Sequence, residues 1–90
     1  MSGQIKKRVD SKTVSVGRKI YFYSIIMPVD AEIENPTWSI NNKNVRVVEI
    51  LNGGKTCRIE GVKVGTTKIT FKATINGQEY TAVGEAVVEE

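Results

Sequence analysis

The sequence predicts an all-β sandwich of about seven strands, and three observations carry the prediction. No stretch of the 90 residues shows the apolar period of an amphipathic helix. Runs rich in Val, Ile, Thr, Tyr and Phe recur at intervals of about 8–12 residues. Turn residues punctuate them at Gly17, Pro28, Pro36, Asn41-Asn42, Asn52-Gly53-Gly54, Gly65 and Asn76-Gly77.

Taken in order, the first strand is broken, with Ile5–Val9 followed by Thr13–Val16. Lys19–Met27 follows the turn at Gly17, and Thr37–Ile40 follows Pro36. Val45–Leu51 and Thr56–Val62 lie on either side of Asn52-Gly53-Gly54. Thr66–Ile75 and Gln78–Val88 flank Asn76-Gly77, the strongest short signal for a two-residue hairpin. That turn sets Ile75 opposite Gln78, Ala73 opposite Tyr80 and Phe71 opposite Ala82, so large residues meet small ones on one face. On the other face Thr74 meets Glu79, and Lys68 meets the opposite charge of Glu85. The same alternation places Ile69, Phe71, Ala73, Ile75, Tyr80, Ala82, Ala86 and Val88 in the core. Trp38 and Ile40 are expected to fill that core from the other sheet.

Composition excludes several functions. A chain of 90 residues forms one domain with one core. It contains no histidine, which removes imidazole metal sites and a Ser-His-Asp triad. Its one cysteine, Cys57, forms no internal disulfide and reads as a small hydrophobe on a strand. Asp30, Glu32 and Glu34 alternate between two prolines, but no glycine-bearing calcium loop surrounds them, and they read as a solvated loop. Gly53-Gly54 lacks the Lys-Ser/Thr of a phosphate loop and reads as a turn. No enzyme, cofactor or metal site is expected. No apolar run approaches the ~18 residues of a membrane span, and Met1–Asp10 does not read as a secretory signal.

The net charge of +3 is mild but local. Lys6, Lys7, Arg8, Lys12, Arg18 and Lys19 face only Asp10 across the first nineteen residues. Residues 1–8 read as a basic N-terminal arm or first strand, and residues 9–90 as a single domain. Such an arm reads first as a solvated basic edge; the functional alternative is a dock for an acidic protein surface, and nucleic acid is not expected, because aromatic residues are not interleaved with a strongly basic stripe.

Three segments together carry a family resemblance. The first is Val14-Ser15-Val16-Gly17, then Ile20 and Phe22, with Pro28 eleven residues after the glycine. The second is Thr37-Trp38-Ser39 followed by Asn42. The third is Gly61-Val62-Lys63-Val64-Gly65-Thr66-Thr67-Lys68-Ile69-Thr70. The chain resembles the bacterial immunoglobulin-like domain, group 2, over roughly residues 12 to 75; Ile40, Arg46 and Val64 depart from that pattern. The resemblance implies an immunoglobulin-like β-sandwich that binds or extends without catalytic residues. It also implies two settings, bacteriophage virions and bacterial surface adhesins.

The family pattern turns Ile20, Phe22, Ser24 and Ile26 inward, which leaves Tyr21, Tyr23, Ile25 and Met27 outward. At ~3.3 Å per residue they form a ridge of about 13 Å on the outer sheet surface, rich in side chains favoured at interfaces. Tyr21, Tyr23, Ile25 and Met27, with Lys6, Lys7 and Arg8, are therefore the candidate partner-binding residues; the alternatives are that the amino-terminal segment folds over the ridge within the monomer, or that the ridge is simply exposed. The expected role is a virion accessory protein decorating a capsid or tail, assembled in the bacterial cytoplasm. The alternative is one module of a cell-surface adhesin that binds host protein or glycan. Expected partners are capsid or tail proteins, copies of this chain and, weakly, glycans, without membrane insertion.

Overall fold

The computed structural model describes residues 4–5, 9, 11–27 and 31–90. Among these, the alternating segments become nine strands: β1 (Gln4–Ile5), β2 (Lys12–Ser15), β3 (Lys19–Tyr23), β4 (Ile26–Met27), β5 (Glu34–Ile40), β6 (Val45–Leu51), β7 (Thr56–Gly61), β8 (Gly65–Ile75) and β9 (Gln78–Glu89). Counting β1 with β2, and β3 with β4, as single interrupted strands leaves the seven expected. Asn52–Gly54 form a 3-10 turn between β6 and β7.

The β8–β9 hairpin has the register the sequence predicts. Asn76 and Gly77 both have positive φ, 51° and 81°, the conformations that a two-residue type I′ turn requires. Pairing then runs unbroken from Ile75↔Gln78 to Gly65↔Val88, through Ala73↔Tyr80, Phe71↔Ala82 and Lys68↔Glu85. This hairpin is the centre of a four-stranded sheet ordered β2-β9-β8-β5, in which β2 runs parallel to β9. The facing sheet is β3-β7-β6, and β1 pairs with β4. The first strand thus divides between layers: Ile5 pairs with Ile26, whereas Val14 pairs with Val88.

The core lies between the layers. Ile69, Phe71, Ala73, Ile75, Ala82, Ala86 and Val88 are buried from one side. Phe22, Ile26, Val45, Cys57 and Ile59 meet them from the other, with Ile5, Val9 and Val14 alongside. Tyr80 is half-buried against this cluster. Each large apolar side chain withdrawn from water contributes about 1.5–3 kcal/mol, and with one cysteine no disulfide assists.

Two residues of the motif segments hold the end of the sandwich. Gly61 lies where β2 crosses β7; a Cβ there would sit 2.9 Å from the Ser15 carbonyl oxygen. Its carbonyl accepts from Gly17 N–H at 2.8 Å, and its N–H donates to the Arg18 carbonyl at 3.0 Å. The Asn42 amide donates to the Thr66 carbonyl at 3.0 Å, and its oxygen accepts from the buried Thr67 hydroxyl at 2.7 Å.

The structure corrects three expectations. Trp38 and Ile40 do not come from the other sheet, because β5 hydrogen-bonds to β8 and sets Trp38 beside Phe71 and Ile40 beside Ile69. Both are half-buried, because β5 is the edge of its sheet. The indole leans on Phe71, with ring centroids 4.7 Å apart, and its Nε1–H donates to the Gly54 carbonyl at 2.8 Å. β5 also starts earlier than expected, at Glu34, with a register shift before Thr37 that accommodates Pro36. Finally, Lys19–Met27 is not one strand but two, separated at Ser24-Ile25.

Trp38→Ala should cost about 3 kcal/mol, the low end for aromatic truncation, because the ring is half-buried. Trp38→Phe should cost about 1 kcal/mol through the lost hydrogen bond. Urea unfolding midpoints at constant m-value measure both; equal costs would assign the stabilisation to the hydrogen bond alone.

Candidate binding face

Period-2 geometry carries Phe22, Cys57 and Ile59 inward, so their neighbours on β3 and β7 form the outer surface of the three-stranded sheet. Cross-strand pairing arranges that surface in rows. Lys19 pairs with Glu60 and Glu60 with Arg46; Tyr21 pairs with Arg58 and Arg58 with Glu49; Tyr23 pairs with Thr56 and Thr56 with Leu51. Tyr21 and Tyr23 are 38% and 51% exposed, and Met27 is 44% exposed. The tyrosine rings stack at 6.2 Å with 26° between planes.

Cations flank the rings. The Arg58 guanidinium lies 5.4 Å from the Tyr21 centroid, and its Nη1 bonds Glu49 at 3.0 Å. Arg58 Nε is buried and has no hydrogen-bond partner among the described residues. Lys12 reaches across from β2, its ammonium 5.0 Å from the Tyr23 centroid, and donates to the Tyr21 carbonyl at 2.6 Å. Such cation–aromatic contacts are worth about 0.5–1 kcal/mol at exposed sites. Arg46 and Glu60 pair at 2.5 Å.

Three of the four predicted ridge residues therefore point outward. Ile25 does not stand with them; it is half-buried. β3 pairs with β7 as far as Tyr23; Ser24 still donates its backbone N–H (3.0 Å) and its hydroxyl (2.8 Å) to the Lys55 carbonyl, and pairing goes no further. That break ends strict alternation before Ile25. Lys6, Lys7 and Arg8, and also Asp30, lie outside the described residues.

The break also opens a concavity that sequence reasoning missed. A pocket of about 270 Å³ lies between the end of β3 and the Asn52–Gly54 turn, lined by Tyr23, Ser24, Ile26, Asn52, Lys55 and Thr56. Ser24, a lone hydroxyl within an apolar run, was its only trace in the sequence. Lys12 and Arg58 were missed as well, since strand pairing and sheet packing bring them to the tyrosines.

Elsewhere, Glu32 and Glu34 are exposed, and no group of three or more potential metal ligands occurs among the described residues. No helix of the described residues is long and apolar enough to cross a membrane. Cys57 is fully buried, and burial pushes its thiol pKa up to about 11.

The two-layer topology, with the tryptophan-bearing β5 beside β8, is that of an immunoglobulin-like β-sandwich. Solved structures agree. The chain is similar to a chimeric titin Z1Z2 tandem carrying a fibronectin peptide, at TM-score 0.66, 16% identity, 99% coverage of this chain and 50% of that one. It is similar to the titin M3 domain at 0.60 and 11%, covering 99% and 98% of the two chains. Titin Z1Z2 in complex with telethonin matches at 0.64 and 15%, with 99% and 48% covered. The chain thus spans about half the length of the tandem structures. Identities this low show the fold alone. No family model matches the chain, and no curated protein matches it.

Native protein at pH 8 should not react with a thiol-specific disulfide reagent, and denaturant should release one equivalent of thiol. The buried thiol also sets an alkaline limit. Below the ordinary value of 9.0 both folded and unfolded states keep the proton, and above it the unfolded state ionises first. Stability should therefore fall as pH rises from about 9 towards about 11. Rapid labelling of the native state at pH 8 would show Cys57 to be accessible.

Proposed function

We propose that this chain is a non-enzymatic binding and structural module of the bacterial group 2 immunoglobulin-like kind, working as a virion accessory protein attached to bacteriophage capsid or tail proteins. The observation that carries the binding role is the pair of stacked, exposed tyrosines on the outer face of β3. Tyrosine and methionine are enriched at protein interfaces, and here a rigid sheet presents them at little entropic cost. Two structural neighbours support the mode of action. Titin Z1Z2 is seen in complex with telethonin, and another titin domain with an obscurin-like 1 domain. The group 2 reading draws support from Gly61 and Asn42, motif residues whose contacts join β2, β7 and β8 at one end of the sandwich.

Retention on gradient-purified phage particles tests the proposal. Tyr23→Ala should weaken retention by about 2 kcal/mol or more at every salt concentration, with the fold intact. Replacing Lys6, Lys7 and Arg8 by Ala should weaken it mainly at low salt, and less near ~0.5 M, where charges are screened. If neither change alters retention, the face is not the attachment surface. Binding to host cells in place of particles would favour the adhesin setting.

A further inference from the structure

We infer that one end of the sandwich, built from Val16, Val62 and Val64 with Lys43 and Lys63, docks on the opposite, acidic end of a second copy of this chain, so that copies associate head to tail. Neither end uses Tyr21 or Tyr23, so the contact is independent of attachment through the tyrosine face.

Exposed apolar side chains gather at the first end. Tyr21, Tyr23 and Met27 belong to the tyrosine face. Among the other exposed large hydrophobics, Val16, Val62 and Val64 are 45%, 48% and 53% exposed, and all three sit just outside the strands where polar residues and glycine are usual. Hydrogen bonds fix the backbone around them. Val16 N–H donates to the Glu89 carbonyl at 2.8 Å, and the N–H groups of Val62 and Lys63 both donate to the Asn44 carbonyl, at 2.8 and 3.0 Å. A β-branched side chain on a fixed backbone has few rotamers, so a partner covering it removes little freedom.

The other end carries the matching charge. β8 separates the two ends by 11 residues, about 33 Å at ~3.3 Å per residue. There Glu34 pairs with Thr74 and Thr74 with Glu79, so two carboxylates flank one threonine in a single row. Glu32 is also exposed, and the half-buried Ile33 lies between it and Glu34. None of these carboxylates makes an ion pair among the described residues, and residues 31–35 and 74–80 contain no cation. Lys72, on β8 two residues before Thr74, is the closest cation in the pairing scheme.

At the valine end, Lys63 lies between Val62 and Val64, and Lys43 adjoins Asn44, which holds them. Neither lysine makes an ion pair among the described residues. Glu89 and Glu90 place carboxylates on the Val16 side, so the positive part of this end is that of Lys43 and Lys63. Val62-Lys63-Val64 and Glu32-Ile33-Glu34 alternate apolar and charged residues in opposite phase. Unlike ends therefore attract, whereas two acidic ends would set carboxylate against carboxylate.

The two surfaces differ, so the contact is heterologous, and a head-to-tail pair keeps one free end of each kind. Association then continues into open chains. The backbone is only 19 by 17 Å across, far short of the ~800 Å² per partner of a standard interface. The contact is accordingly weak and fills at ~0.1–1 mM.

Sedimentation equilibrium of the whole chain up to ~2 mM tests this. At low salt the average mass should rise with concentration past that of a dimer, and it should rise less near ~0.5 M salt. Val62→Ser with Val64→Ser, and separately Glu32→Lys with Glu34→Lys, should each weaken association at least ~10-fold, with circular dichroism showing the fold kept. Mixed in equal amounts, these two variants should form dimers and stop there, because each keeps one working end. Lys43→Glu with Lys63→Glu should be monomeric alone. Mixed with the Glu32→Lys, Glu34→Lys variant it should regain open chains, because the reversed charges match again. The inference is overturned if the wild type stays monomeric to ~2 mM, if its association stops at a dimer, if the first mixture forms no dimer, or if the charge-reversed mixture forms no chains.

Discussion

Two residues in left-handed conformations, Asn76 and Gly77, set the pairing of eleven residues with eleven others, and much of the sandwich takes its register from that hairpin. A slip of one residue would turn Ile69, Phe71, Ala73 and Ile75 out to water together, since strand side chains alternate. The penalty would be several apolar burials at about 1.5–3 kcal/mol each, comparable with the whole stability of a small domain. β5 reads its position from this hairpin through Trp38↔Phe71, and β2 through Val14↔Val88. The opposing sheet then needs only to supply Phe22, Cys57 and Ile59 at matching depth.

How much was legible follows from the range of the interactions. The hairpin depends on neighbours in sequence, so Ala73↔Tyr80 and Lys68↔Glu85 could be counted off from the turn. The inward set on β8 followed from alternation alone. Trp38 depended on which strand β5 would join, and nothing within Thr37–Ile40 states that; only β8's free edge decides it. Tyr21, Tyr23 and Met27 were legible as outward residues because period 2 survives as far as Tyr23 and resumes at Ile26. Ile25 was not, because β3 ends at Tyr23, where its pairing with the distant β7 runs out. The pocket lies between that segment and the distant Asn52–Gly54 turn and could not be read from either segment alone.

The two outer surfaces of the sandwich differ in character. On β8 the outward residues are Thr66, Lys68, Thr70, Lys72 and Thr74, a polar and β-branched row suited to water. On β3 the corresponding positions hold stacked aromatic rings gripped by Lys12 and Arg58. Those cations hold the rings in place before anything binds, so less side-chain freedom remains to be lost on association. The unpartnered Nε of Arg58 fits the same picture of a guanidinium held by ring and carboxylate, with one donor left unmet.

The parallel pairing of β2 with β9 has a mechanical consequence. Lys12↔Ala86 through Ser15↔Glu89 are aligned pairs, continued by Val16 N–H to the Glu89 carbonyl at 2.8 Å and preceded by Val9 N–H to the Val83 carbonyl at 3.1 Å. Tension entering through the chain before β2 draws that strand backwards along its axis. Tension leaving through the chain after β9 draws β9 forwards. The two strands lie side by side, so the load is shear, shared by all the rungs at once, whereas an antiparallel hairpin pulled at its open end unzips one rung at a time. Extending the domain therefore requires several hydrogen bonds to rupture together, with Val14 and Val88 torn from the core in the same event. Placed in series with other elements under strain, such a unit would yield late and abruptly.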